Sequence, residues 1–134
     1  MSIFEPASQP WPDRMLGLFR IVAGLVFVST GTMKFGFPAS ANMPELVLLS
    51  QVGIGGLLEV IGGTLIVVGL FTRPTAFILA GEMAVAYFQF HAPGSFWPTV
   101  NMGTPAILYC FLFLYLTFAG SGAWSIDRVL ARRR

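Results

Sequence analysis

Four apolar stretches, Met15–Phe35, Leu46–Phe71, Thr75–Phe90 and Pro105–Ala119, take up most of this 134-residue chain. A helix crosses the hydrocarbon core of a bilayer in about 20 residues at 1.5 Å each. The first two stretches meet that length, and the last two reach it by borrowing neighbours such as His91 and Gly120. With short connections between them, the four predict an all-α fold: an integral membrane, antiparallel four-helix bundle. The expected helices cover residues 15–35, 46–71, 75–91 and 105–121. They make one domain, 14–131, between a polar segment at 1–13 and a basic tail at 132–134.

Composition agrees. Only 10% of residues are charged, against about 25% in an average soluble domain, too few to coat a globule. The net charge of +2 comes from thinly spread basic residues whose one cluster, Arg132–Arg134, ends the chain, so no nucleic-acid partner is indicated. Cys110 and His91 are each single. One chain therefore encodes no disulfide, CxxC pair, bis-histidine haem, iron–sulfur cluster or histidine-rich metal site. A redox role would need a diffusible cofactor or a partner protein. Residues 1–13 lack a basic residue and the first apolar stretch lacks a cleavage pattern, so that stretch is expected to be retained.

The basic residues set an expected orientation. With four spans, Arg14, Arg73, Arg128 and Arg132–Arg134 share one side with both termini, and only Lys34 flanks the other. The positive-inside rule then places both termini in the cytoplasm. Loops 36–45 and 92–104 would face outward, the second with Phe96 and Trp97 at the interface. Thr72-Arg73-Pro74 reads as a tight cytoplasmic turn, and Trp124 as an interfacial anchor before a short helix capped by Ser125.

Three charges fall inside the apolar stretches: Arg20, Glu59 and Glu82. Each costs roughly 2.5–3.5 kcal/mol at a bilayer centre, so such groups face a bundle interior, find partners and mark function. On the first helix Gly17, Gly24 and Gly31 recur every seven residues, with Arg20, Phe27 and Lys34 three positions after each. Small residues let helices approach closely in lipid, so this stripe turns inward with Arg20. Glu59 has glycines at 55, 56, 62 and 63, which leaves either a tight helix contact or a cavity around its carboxylate. Counted from the cytoplasmic ends, Arg20 lies roughly 9 Å deep, Glu82 about 12 Å and Glu59 about 18 Å. Side chains lean toward their helix N-terminus, so Arg20–Glu82 is the better-matched pair. Glu59 would then be the less neutralised, proton-handling carboxylate, with a guanidinium forked to both acids as the competing arrangement. Lys34, Gln51, His91 and Asn101 lie at the outer ends, Gln89 shares the face of Glu82, and the candidate ligand-binding residues are Lys34, Gln89, His91, Asn101 and Tyr109. His91, before Pro93, also suits a helix end, and Tyr109 and Tyr115 suit packing.

Taken together these pieces resemble the DoxX family of small four-helix membrane proteins. The resemblance rests on Gly24-x-x-Phe27-x-x-x-Gly31-x-x-Lys34-Phe35, on Glu59-x-x-Gly62-Gly63 through Thr72-Arg73, and on Glu82-Met83-Ala84-x-Ala86. Asn101 before Tyr109 and the closing Gly120-x-Gly122-x-Trp124-Ser125-x-Asp127 extend it over nearly the whole chain. It implies contact with a quinone or a redox partner, since relatives include DoxD-like membrane subunits of a thiosulfate:quinone oxidoreductase and proteins linked to oxidative-stress or thiol defence. The leading expectation is thus an inner-membrane, multi-pass oxidoreductase subunit of a prokaryote, with Glu59, Arg20 and Glu82 as the working charges and a quinone as ligand. Alternatives are an assembly or scaffold protein with structural charges, and a proton or small-solute transporter. The glycine faces also leave room for a homo-oligomer.

Overall fold

The computed structural model describes residues 10–39, 41 and 47–134. Among them all regular structure is helical, with no strands. Helix α1 runs Trp11–Lys34, starting earlier than the apolar pattern. Pro12 sits in its first turn, where a missing N–H leaves no gap in the hydrogen bonding, and Asp13 and Lys34 complement the helix dipole. Helix α2, Gln51–Val68, is shorter than expected at both ends. Ser50 caps it by accepting the Gly53 N–H at 3.1 Å, and Gly69 ends it at φ 69°; residues 42–46 lie outside the described part. Helix α3, Thr72–Ala86, begins three residues before the predicted start and passes into a π-helical turn, Tyr87–His91. A short α4, Pro98–Asn101, precedes α5, Thr104–Ala119, which Gly120 stops. Helix α6, Ile126–Ala131, carries the expected Ser125 cap. By length and composition, α1 and α2 can each cross a membrane; α5 is apolar but shorter.

The long helices pack α1 on α2 and α3 on α5, with lighter contact between α2 and α3. Phe27 of α1 meets Tyr109 and Phe113 of α5, and Ile66, Leu79, Met83 and Leu116 complete a common core. Outside, large apolar side chains such as Leu25, Phe77, Phe111 and Phe118 are exposed, the surface that lipid rather than water would cover. The glycine stripe faces inward as expected. A methyl group on Gly24 would stand 3.1 Å from the Gly63 carbonyl, and one on Gly31 2.9 Å from the Val60 amide. These glycine faces are taken up by contacts within the chain.

The end where α1 begins and α2 ends is held by side chains on backbone groups. The Asp127 carboxylate accepts the N–H groups of Phe71 and Thr72 at 2.8 and 2.9 Å, capping α3. Arg73 donates to the carbonyls of Thr117 and Phe118 at the end of α5, a fastening beyond its expected role in topology. Arg128 forms a two-pronged ion pair with Asp13, joining α6 to α1.

Arg20 belongs to this end and corrects the expected pairing with Glu82. Its guanidinium, wholly buried, donates to the carbonyls of Ser121 (2.7 Å), Ile66 (2.6 Å), Val67 (2.5 Å), Ala123 (3.1 Å) and Trp124 (2.9 Å). Two of these, on Ile66 and Val67, are carbonyls of the last turn of α2, and that of Ile66 also accepts the Gly69 N–H at 3.2 Å. A cation there also meets the negative end of the dipole. All five guanidinium N–H groups are occupied, so none reaches toward either glutamate.

Candidate functional site

At the opposite end, a cavity of about 600 Å³ opens among α1, α2, α3 and α5. It gathers Lys34, Glu59, Glu82, His91 and Tyr109 from the sequence-predicted set, with Gln51. Gln89 stands beside it, tied to Gln51 by reciprocal amide bonds of 2.5 and 3.0 Å that join the π-helical turn to α2. Asn101 is one step removed. Its side chain donates to the Tyr87 hydroxyl (3.3 Å) and the Ser95 carbonyl (2.9 Å), and its own carbonyl lies 3.0 Å from His91 Nδ1. A carbonyl can only accept, so Nδ1 carries the hydrogen and Nε2 of a neutral ring is left as an acceptor. Arg20 is absent from the cavity wall.

The two carboxylates stand opposite to expectation. Glu59, 3% exposed, is neutralised: Lys34 Nζ sits 2.6 Å from both of its oxygens. Lys34 can reach it because Gly31 lets α1 lie against α2 at Glu59 and Val60, and the lysine stem then crosses Gly56. Glu82 forms no ion pair among the described residues. Its Oε2 is buried without a hydrogen-bond partner among the described residues, an arrangement that costs free energy unless the group is protonated or meets a ligand. The glycines around Glu59 thus serve both alternatives. Gly56 and Gly63 take the tight contact with α1, and Gly55 leaves space for the Glu82 carboxylate, whose Oε1 would lie 3.3 Å from a methyl group there.

The remaining wall is apolar, with Phe27, Ile54, Leu58, Ile78, Met83 and Val85 among its residues. A π-helical turn is uncommon and recurs at functional sites; here it carries Gln89 and His91 to the cavity rim. Gly81, beside Glu82 in the wall, went unnoticed in the sequence although a glycine inside a helix is a visible anomaly. Chemically the arrangement offers a buried acceptor, a neutralised ion pair and a histidine nitrogen in an otherwise oily space. Such a space suits an amphipathic molecule whose polar groups can donate to and accept from these residues.

Known proteins point the same way as the fold. The DoxX family model matches residues 15–92, which contain all but the first four residues of α1, with α2, α3 and the π-helical turn. An uncharacterised protein of Haemophilus influenzae is 42% identical over 121 residues, 84% of this chain and 87% of that protein. The inner membrane protein YqjF of Escherichia coli is 32% identical, over 85% of this chain and 90% of its own. An uncharacterised membrane protein of Mycobacterium tuberculosis is 26% identical, over 99% and 96%. No solved structure matches. With the family model covering more than half of the chain and these relatives most of it, the chain is a membrane protein that belongs to the DoxX family.

Proposed function

We propose that this chain is a multi-pass inner-membrane subunit of a quinone-linked or thiol/oxidative-stress-linked oxidoreductase system, its cavity holding a quinone head group and exchanging protons with it. The helices would form an antiparallel four-helix bundle with both termini cytoplasmic. The observation that carries this reading is Glu82, a half-buried side chain whose Oε2 is buried without a partner among the described residues, in an apolar cavity beside a neutralised Lys34–Glu59 pair. A quinol hydroxyl supplies the hydrogen that Glu82 Oε2 lacks, and a quinone carbonyl can accept from the Lys34 ammonium. Bound there, a quinone/quinol couple supplies two-electron, two-proton chemistry, the electrons passing to or from a partner protein. Glu82 is then the group that holds or releases a proton at Oε2. Glu59 keeps Lys34 in place, and His91 Nε2 offers an exchange point near the rim.

Glu82→Gln keeps the side-chain shape while removing the titratable proton. The expected result is a folded, membrane-inserted variant that has lost the redox or proton-coupled phenotype of the wild type. Full activity in Glu82→Gln would take the proton role away from this residue. Native mass spectrometry of the purified wild type should show a bound quinone. A co-purifying protein without quinone would favour the assembly reading, which draws its support from Arg20, Arg73 and Asp127 all binding backbone. Neither species would turn attention to proton or solute flux in proteoliposomes.

A further inference from the structure

The seam between α2 and α3 differs from the other side of the cavity. Toward α1 and α5 the wall carries an aromatic cluster, the Phe27 ring centre lying 5.0 Å from that of Tyr109 and 4.7 Å from that of Phe113, and a separate apolar groove of about 590 Å³ along Met15, Val22 and Leu112 meets it at Pro105 and Tyr109. Toward α2 and α3 the wall contains Gly55 and Gly81, with Ile54, Leu58 and Ile78 also lining it. A second, apolar groove of about 250 Å³ shares those last three residues and continues between the helices past Ile61 and Gly62 to Leu65 and Thr75. From Ile54 to Leu65 it follows α2 for about 16 Å at 1.5 Å per residue, roughly half the hydrocarbon thickness of a bilayer.

Gly81 is the second observation. It lies inside α3, where glycine is less favourable than alanine. A methyl group added there would touch nothing within 4 Å, and its backbone is outside the left-handed region. Neither packing nor backbone geometry requires a glycine at this position. What its missing side chain preserves is open space beside Glu82.

We infer that the α2–α3 seam is a lateral gateway from the bilayer, and that the cavity's ligand is an amphiphile with one long apolar tail, isoprenoid or acyl. The polar head passes between Gly55 and Gly81 to reach Glu82 and the Lys34–Glu59 pair. The tail stays in the groove along Leu58, Ile61 and Leu65. This rests on the reading of the cavity as a head-group site and adds the route of entry and the nature of the ligand's other end. A tailless, water-soluble ligand would leave the groove and the open seam without use.

The test uses the full chain in lipid nanodiscs and two kinds of probe. Hexadecan-1-ol with a photoreactive diazirine along its chain should label the α2–α3 groove at least threefold over the lipid face of α5 at Phe111 and Phe118. Ile61→Trp should bring that labelling down to the α5 level. Equal labelling of the two faces in the wild type overturns the tail site, whatever binds in the cavity. In parallel, a benzoquinone bearing a decyl tail should bind at least tenfold tighter than the same ring bearing a methyl group. Gly81→Leu and Ile61→Trp should each cut that ratio below threefold without lowering the melting temperature. Equal binding of the two quinones by the wild type overturns the gateway and leaves the head-group reading standing. Selective labelling of the groove with no binding of either quinone has the opposite effect: the quinone reading falls and the tail site stands.

Discussion

Arg20 is a cross-tie between backbone segments, with its five donors on five carbonyls. Arg20→Leu strands those carbonyls in an apolar interior, and we expect a loss on the order of 3–5 kcal/mol, as for other broken buried charge networks. Lysine, with three donors and no planar fork, should restore little of it. Adding Glu82→Leu should recover nothing, the two effects summing to within about 0.5 kcal/mol, as for residues that share no partner. Thermal unfolding in detergent measures all of these. Lys34 and Glu59 should behave differently: a double-mutant cycle with Lys34→Met and Glu59→Gln should give a coupling of about 1–3 kcal/mol. The identity of the important charges was legible in the sequence, since ionisable groups stand out against an apolar run. Their partners were not. Counting 1.5 Å per residue gives depth along a helix but not the direction a side chain takes around it. It also overlooked carbonyls as partners for a guanidinium.

At the scale of the helices, the pairing of α1 with α2 is legible in the spacing of their glycines. Gly24 and Gly31 are seven residues apart, and so are Gly56 and Gly63. Laid antiparallel, 24 opposite 63 and 31 opposite 56, they come within one helical turn of the observed register, in which Gly31 meets Glu59 and Val60 and Gly56 meets Lys34 and Phe35. The π-helical turn, Tyr87–His91, carries no comparable signal, because an extra residue per turn leaves no pattern of apolar positions in so short a segment. Two glycines separate packing from space. Gly31→Leu forces a side chain against the Val60 backbone and should destabilise by about 1–3 kcal/mol. Gly81→Ala meets no neighbour and should stabilise by up to about 1 kcal/mol, the ordinary helix preference. Melting curves of the two variants that move in the same direction would contradict this division.

The whole molecule divides its polar groups between two ends. One end is fastened by Arg20, Arg73, Asp127 and the Asp13–Arg128 pair, and the other surrounds the cavity with Lys34, Glu59, Glu82 and His91. The ion pair from α6 to α1 and the Ala123 N–H bonded to the Asp13 carbonyl at 3.1 Å bring the start of α1 and the last helix to the same end. Reporter fusions at the two termini should therefore give the same sidedness, and the positive-inside rule, applied to the arginines at that end, predicts a cytoplasmic signal. An extracytoplasmic signal from a fusion at Arg134 would overturn the orientation. The division also bears on mutagenesis that tests the proposed function: changes at the fastened end should alter yield and melting, and changes around the cavity should alter activity at near-normal yield.

The Arg20 tie has a consequence for how the protein is made. Three of its five carbonyls belong to residues 121, 123 and 124, which leave the ribosome about a hundred residues after Arg20 itself. Until they arrive, α1 carries a guanidinium only partly satisfied, by Ile66 and Val67 once α2 is in place. An incompletely compensated charge makes insertion of α1 reversible at that stage. The closing segment thus acts as a latch that commits the nascent chain to the membrane, so a chain cut after Ala119 should be synthesised at the normal rate yet cleared by quality-control proteases, as pulse–chase labelling would show.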